Sequence, residues 1–177
     1  MAIDWRRDLM LWHPRLFAFL ADEPWRSSDY PNCERGWQDI LVKLCRRIEI
    51  ALGEGETFEF VRISQKMGIL RVNWQTDASD DTEAKIARAV DLAVARSACT
   101  CEICGRDGRL HNNKGWLETR CAEHAAGDPV PPRFGLGFEN VRRFRRRRGH
   151  PQMYFARYDR TTDTLTEVPP PSRKQEG

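Results

Sequence analysis

Two pairs of metal-binding residue types constrain this chain more than any other feature: Cys101-Glu102-Ile103-Cys104 and Cys121-Ala122-Glu123-His124, separated by sixteen residues that open with Gly105. Two ligands with two residues between them wrap one side of a small ion in a tight turn, and a glycine after the first pair relieves the strain of leaving it. Two such turns facing each other complete a tetrahedron of three thiolates and one imidazole. A sulfur-rich set of this kind favours zinc. Four protein ligands leave no open position, whereas a catalytic zinc keeps one for water or substrate. The spacing therefore predicts one structural Zn2+ held by Cys101, Cys104, Cys121 and His124. Cys99 and His111 are the nearest spare ligands, and His111 stays open as a substitute for His124. Between the pairs, Arg106-Asp107-Gly108-Arg109 reads as a turn and Trp116-Leu117-Glu118-Thr119 as a strand, the layout of a zinc ribbon.

Upstream, a helix is predicted over residues 36–52, because Trp37, Ile40, Leu41, Leu44, Cys45 and Ile48 follow the three-four spacing of one buried face. Gly53 and Gly55 stop it. Residues 57–64 and 69–74 are rich in β-branched and aromatic side chains and read as a hairpin turning at Lys66-Met67-Gly68. Asp80 is the expected N-cap of a helix over about 82–98, with Glu83 three residues on. Residues 3–21 read as helix, broken or restarted at Pro14, and 22–31 as loop. Trp37 and Trp116 are both expected as core anchors, Trp116 tying the zinc segment to the body. Cys33 and Cys45 read as free thiols.

Charge divides the chain unevenly. Residues 1–128 carry 18 basic and 21 acidic side chains, while residues 129–177 carry 11 and 5. A basic tail therefore follows a mildly acidic body, and an anionic partner should approach through that tail. Pro129, Pro131 and Pro132 mark a linker, and Arg142, Arg143, Arg145, Arg146, Arg147 and Arg148 crowd one segment. Residues 152–158 and 164–168 read as a second hairpin, and His150 as a turn residue before it. The expected class is α+β: N-terminal helices, a hairpin, a helix and a zinc-ribbon-like module, with a basic C-terminal extension. The expected boundaries are a body over 1–126 including the zinc module at 99–126, a Pro/Gly linker over 127–140, a basic segment and hairpin over 141–168, and a disordered tail over 169–177.

Taken together, Gly36-Trp37-Gln38-Asp39, Lys66-Met67-Gly68-Ile69-Leu70-Arg71, Cys101 to Gly105, Gly115-Trp116 and Cys121 to His124 resemble the pattern of a family of uncharacterised bacterial and phage-borne proteins. The resemblance covers about residues 32–126. Met67 stands where that pattern has an aromatic and Ile69 where it has a second glycine. The resemblance implies the same domain boundary and the same zinc ligands. It implies no activity.

Function reads first as non-enzymatic: a zinc-stabilised protein-interaction module, accessory or regulatory, with Trp25 and Tyr30 as candidate anchors and a protein partner. An alternative is nucleic-acid binding through the arginine-rich segment 142–148, where dense guanidinium groups neutralise phosphates and Phe134, Phe138, Phe144 and Tyr154 stack on bases. A third is a degenerate His-Asn-His-like nuclease, suggested by His111-Asn112-Asn113 between the ligand pairs. No zinc-deaminase signature, phosphate-cradling glycine loop or nucleophile elbow occurs. No apolar run approaches the roughly 18 residues of a membrane span, and the start lacks a signal-peptide layout. The expectation is a cytoplasmic protein with reduced cysteines.

Overall fold

The computed structural model describes residues 4–18, 23–131, 141–145 and 153–170. It has the α+β architecture that the sequence predicts. Helix α1 (Trp5–Trp12) starts at Asp4, whose carboxylate accepts from the Arg6 and Arg7 N–H groups. Trp5, Leu9 and Met10 face inward. Pro14 disfavours helical geometry at His13, and α1 ends there. The predicted restart does not occur over 14–18, where the chain turns instead. The Leu16 carbonyl accepts from the Phe60 N–H at 2.9 Å, and Phe17 packs on Phe60 with ring centroids 4.9 Å apart. Pairing with a strand edge and burial of both side chains outcompete the local helix preference. Residues 19–21 of the predicted helix lie outside the described residues.

A 3-10 turn over Arg35–Trp37 leads into α2 (Gln38–Ala51), which buries Ile40, Leu41, Leu44, Cys45 and Ile48. Strands β1 (Phe58–Lys66) and β2 (Ile69–Thr76) pair antiparallel, with a bulge between Phe60 and Arg62. Their two-residue turn has Met67 at φ 54° and Gly68 at φ 78°, so both residues are left-handed. That primed turn matches the twist of the strands. Helix α3 (Asp80–Ser97) is capped one residue earlier than predicted: Ser79 Oγ accepts from the Thr82 N–H, and Asp80, Asp81 and Glu83 fill the first turn. A Ser hydroxyl reaches the free N–H groups, and the carboxylates complement the helix dipole from inside the first turn.

Helices α2 and α3 and the β1–β2 hairpin enclose the main core, twenty-one buried residues among those described, including Trp37, Leu44, Ile48, Phe60, Ile63, Leu70 and Ile86. Three strands follow α3: β3 (Arg109–Asn113), β4 (Trp116–Arg120) and β5 (Asp128–Pro129), in the order β4-β3-β5. Pro129, read as linker, is thus part of a strand pair with β3. The last sheet, β6 (Val141–Arg145), β7 (Met153–Asp159) and β8 (Thr164–Val168), is antiparallel with β7 central. The arginine segment therefore begins as a strand paired to the hairpin rather than as a basic lead-in to it. This sheet packs on α3 through a second, small core of Ala95, Phe144, Ala156, Tyr158 and Leu165. Linker residues 132–140, His150 and tail residues 171–177 lie outside the described residues. Among the described residues no helix is long and apolar enough to cross a membrane.

Candidate metal centre

The two ligand turns come from different places. Cys101 and Cys104 sit on the loop leaving α3, and Cys121 and His124 on the turn leaving β4. In the first turn the Gly105 N–H donates to the Cys101 carbonyl at 2.8 Å with Gly105 at φ 77°, the left-handed exit that a side chain would resist. In the second the His124 N–H donates to the Cys121 carbonyl at 3.1 Å. The pairing of β3 with β4 carries the second turn back to the first.

The four candidate ligand atoms all lie within 4.8 Å of one another. Cys104 Sγ is 3.7 Å from Cys121 Sγ, and His124 Nδ1 is 3.7 Å from Cys101 Sγ and 3.2 Å from Cys121 Sγ. A zinc ion with Zn–S near 2.3 Å and Zn–N near 2.0 Å at tetrahedral angles sets sulfurs about 3.7 Å apart and sulfur about 3.5 Å from nitrogen. The donor set and its spacing fit such an ion. Backbone and side-chain N–H groups of Arg106 pull the Cys104 thiol down to about 6, toward the thiolate that binds metal. Burial pushes the enclosed Cys101 thiol up.

The body grips the first turn through its backbone. The Gly36 N–H donates to the Glu102 carbonyl at 2.7 Å, and Trp37 Nε1 donates to the Thr100 carbonyl at 2.9 Å. A Cβ on Gly36 would stand 2.3 Å from the Cys101 carbonyl oxygen. The Gly36-Trp37 pair therefore does two jobs: the glycine admits the cysteine loop, and the tryptophan, fully buried, pins it. Glu102, between the two cysteines, is buried and meets Arg120 at 3.0 Å, and Arg120 meets Glu118 at 3.0 Å. Sequence reasoning missed this ion cluster. Its one local signal is position: Glu102 lies inside one ligand pair, and Arg120 directly precedes the other.

Other expected residues fall elsewhere. His111 is buried on β3, where Nδ1 meets the Arg109 carbonyl at 2.9 Å, and the metal cluster takes His124. Cys99 also lies outside the cluster, its thiol donating to the Arg96 carbonyl at 3.3 Å. Trp116 is 65 % exposed, so it does not tie the segment to the body. Thr119 does that instead, its hydroxyl donating to the Gly68 carbonyl at 2.6 Å, with Gln65 Nε2 donating to the Leu117 carbonyl at 3.0 Å. Cys33 and Cys45 are buried free thiols. Trp25 is exposed, while the Tyr30 hydroxyl is held by Asp4 at 2.9 Å.

The expected basic face is only partly described. Arg143 on β6 is exposed, but Arg142, on the opposite side of the strand with Phe144, is half-buried. Arg145 ends β6, and Arg146, Arg147, Arg148, Phe134 and Phe138 lie outside the described residues. Tyr154 packs on Phe144 with centroids 5.3 Å apart, and its hydroxyl donates to Asp91 at 2.5 Å. Its ring and hydroxyl are thus engaged inside the molecule.

Fold and cluster together define an α+β protein with a Cys3His group able to hold a metal ion. Comparison with family models, curated proteins and solved structures returned no match.

Proposed function

We propose that Cys101, Cys104, Cys121 and His124 hold one zinc ion as a structural centre, and that the protein is a non-enzymatic module that works by contact with a protein partner. The convergence of four donor atoms within 4.8 Å of one another carries this reading. Four protein donors fill the preferred coordination of zinc, and the ion then contributes folding energy to a segment with little apolar core of its own. Contact as the mode of action is supported by three tryptophans that are more than half exposed: Trp12 at 63 %, Trp25 at 58 % and Trp116 at 65 %. Exposed tryptophans on ordered elements are the side chains most enriched at binding hot spots. Kinship with the bacterial and phage-borne family, and residence in a reducing compartment, belong to the same proposal.

The test is the metal shell. X-ray absorption of the zinc-loaded chain should give three sulfurs and one nitrogen around the ion. Cys121→Ser should lose stoichiometric zinc and lower the melting temperature. A bound water oxygen in that shell, or a Cys121→Ser chain that keeps one zinc and its full Tm, overturns the structural assignment. Trp116→Ala should change stability by less than about 0.5 kcal/mol, as at other exposed positions.

A further inference from the structure

The turn joining β7 to β8 reaches across to the metal loop. Arg160, in that turn, donates through Nη1 to the Cys99 carbonyl at 2.8 Å and the Thr100 hydroxyl at 2.6 Å. Through Nη2 it donates to the Gly105 carbonyl at 3.1 Å, and its Nε meets Asp107 at 2.6 Å. These acceptors bracket Cys101 and Cys104 from both sides. A guanidinium is a rigid planar fork, so it satisfies several acceptors at once only when their positions are fixed. Closing the ligand loop around an ion is what fixes them.

One residue opposes docking. Arg142 lies half-buried on the inward side of β6, near Cys99, and has no carboxylate partner among the described residues. Burial lowers its pKa, so the docked sheet holds a cation that water would solvate better. The apolar contact beneath the sheet is small. Ties away from the metal loop are polar: Arg88 donates to the Leu165 carbonyl, and Asp163 receives Arg47 at 2.8 Å and Arg96 at 3.3 Å.

We infer that Arg160 couples metal occupancy to docking of the C-terminal sheet: the loaded loop holds β6–β8 on α3, and the empty loop releases them, exposing Arg142 beside Arg143. This coupling rests on the zinc assignment proposed above. By linkage it is reciprocal, so weakening the Arg160 contact also weakens zinc affinity.

Hydrogen exchange of the full chain tests it, read by mass spectrometry with zinc content measured in parallel. Removing zinc with a chelator should speed exchange across 153–168 while α2 and the β1–β2 hairpin keep their protection. Zinc-saturated Arg160→Ala should show the same loosening with one zinc still bound, by at least about tenfold, as expected for losing hydrogen bonds from a charged donor. Arg160→Lys should restore little, since an ammonium lacks the fork. A chain that binds no zinc overturns the metal assignment and the coupling with it. Bound zinc with wild-type exchange over 153–168 in Arg160→Ala overturns the coupling alone. Should chelation unfold the whole chain, zinc affinity decides: Arg160→Ala should bind zinc more weakly than wild type, and equal affinity overturns the coupling.

Discussion

The main core and the C-terminal sheet are held by different physics. Among the described residues, twenty-one buried side chains close the first around α2, α3 and the β1–β2 hairpin, while five close the second. At burial near 25 cal/mol per Å2, the larger apolar core contributes more stabilisation than the smaller one does. The sheet makes up the difference with directed polar ties: Tyr154 to Asp91, Arg88 to Leu165, Asp163 to Arg47 and Arg96, and Arg160 to the metal loop. Apolar packing is non-directional and degrades gradually. Polar ties depend on geometry and fail together when one side loses its shape. On that difference the sheet is expected to open before the main core.

The largest expected effect breaks the first region. Trp37→Ala removes a fully buried indole and its hydrogen bond to the Thr100 carbonyl. The cost should be about 3–5 kcal/mol, the range for losing a buried aromatic, read as a shift in a urea denaturation midpoint. Zinc affinity should fall as well, because Thr100 adjoins Cys101. A loss under about 1 kcal/mol, no more than a typical single mutation, would mean that Trp37 is not the pin.

Trp37 also marks the limit of what the sequence conveys. Gly36-Trp37 and Gly115-Trp116 are the same dipeptide, yet one tryptophan is buried and the other is 65 % exposed. The first leads into a helix whose apolar face turns it inward. The second follows a two-residue turn, with Lys114 at φ 51° and Gly115 at φ 92°, at the far tip of a hairpin. Helix α2, the β1–β2 hairpin and the Cys/His cluster were legible because each is written in local spacing. The strand made by the arginine segment was not, since charge density masks the alternation of Arg142 and Phe144 with Arg143. Nor were the contacts of Arg160 with the Cys99 carbonyl, 61 residues away, and of Asp163 with Arg47, 116 residues away. No local pattern encodes contacts of that range. The choice of His124 over His111 lay between these extremes: spacing favoured it, and His124 is the histidine that lies with the three cysteines.

A smaller effect sharpens the contrast from the sheet's side. The Tyr158 hydroxyl donates to Asp163 at 2.8 Å and accepts from Arg96 Nη1 at 3.2 Å. Arg96 Nε is buried without a hydrogen-bond partner among the described residues, while its Nη atoms also meet Asp163 at 3.3 Å and Asp39 at 3.4 Å. Tyr158→Phe keeps the ring in the small core and removes both bonds. It should cost about 1–2 kcal/mol, as expected for losing hydrogen bonds to charged groups that keep other partners. The loss should appear as faster amide exchange in β7 and β8 with α2 unchanged. Equal loosening of both regions would erase the distinction drawn between them.

The smallest effect is a pH dependence confined to the sheet. Burial alone would raise the Asp163 carboxyl, but hydrogen bonds from Arg47 and Tyr158 and the charges of Arg47 and Arg96 hold it below its ordinary value. Asp39 lies on the far side of this group, sharing Arg96 at 3.4 Å. A depressed carboxylate contributes stability that is complete above its unfolded pKa of about 4 and is lost as pH falls through the lower folded value. An ion pair of this exposure contributes less than about 1 kcal/mol. Metal release at low pH affects the sheet too, so the comparison is between wild type and Asp163→Asn at matched pH and matched zinc content. Wild type should protect its β7 and β8 amides better at pH 6 and lose that advantage below about pH 4. An advantage that persists unchanged to the lowest pH at which the chain stays folded would remove Asp163 from the ties that hold the sheet in place.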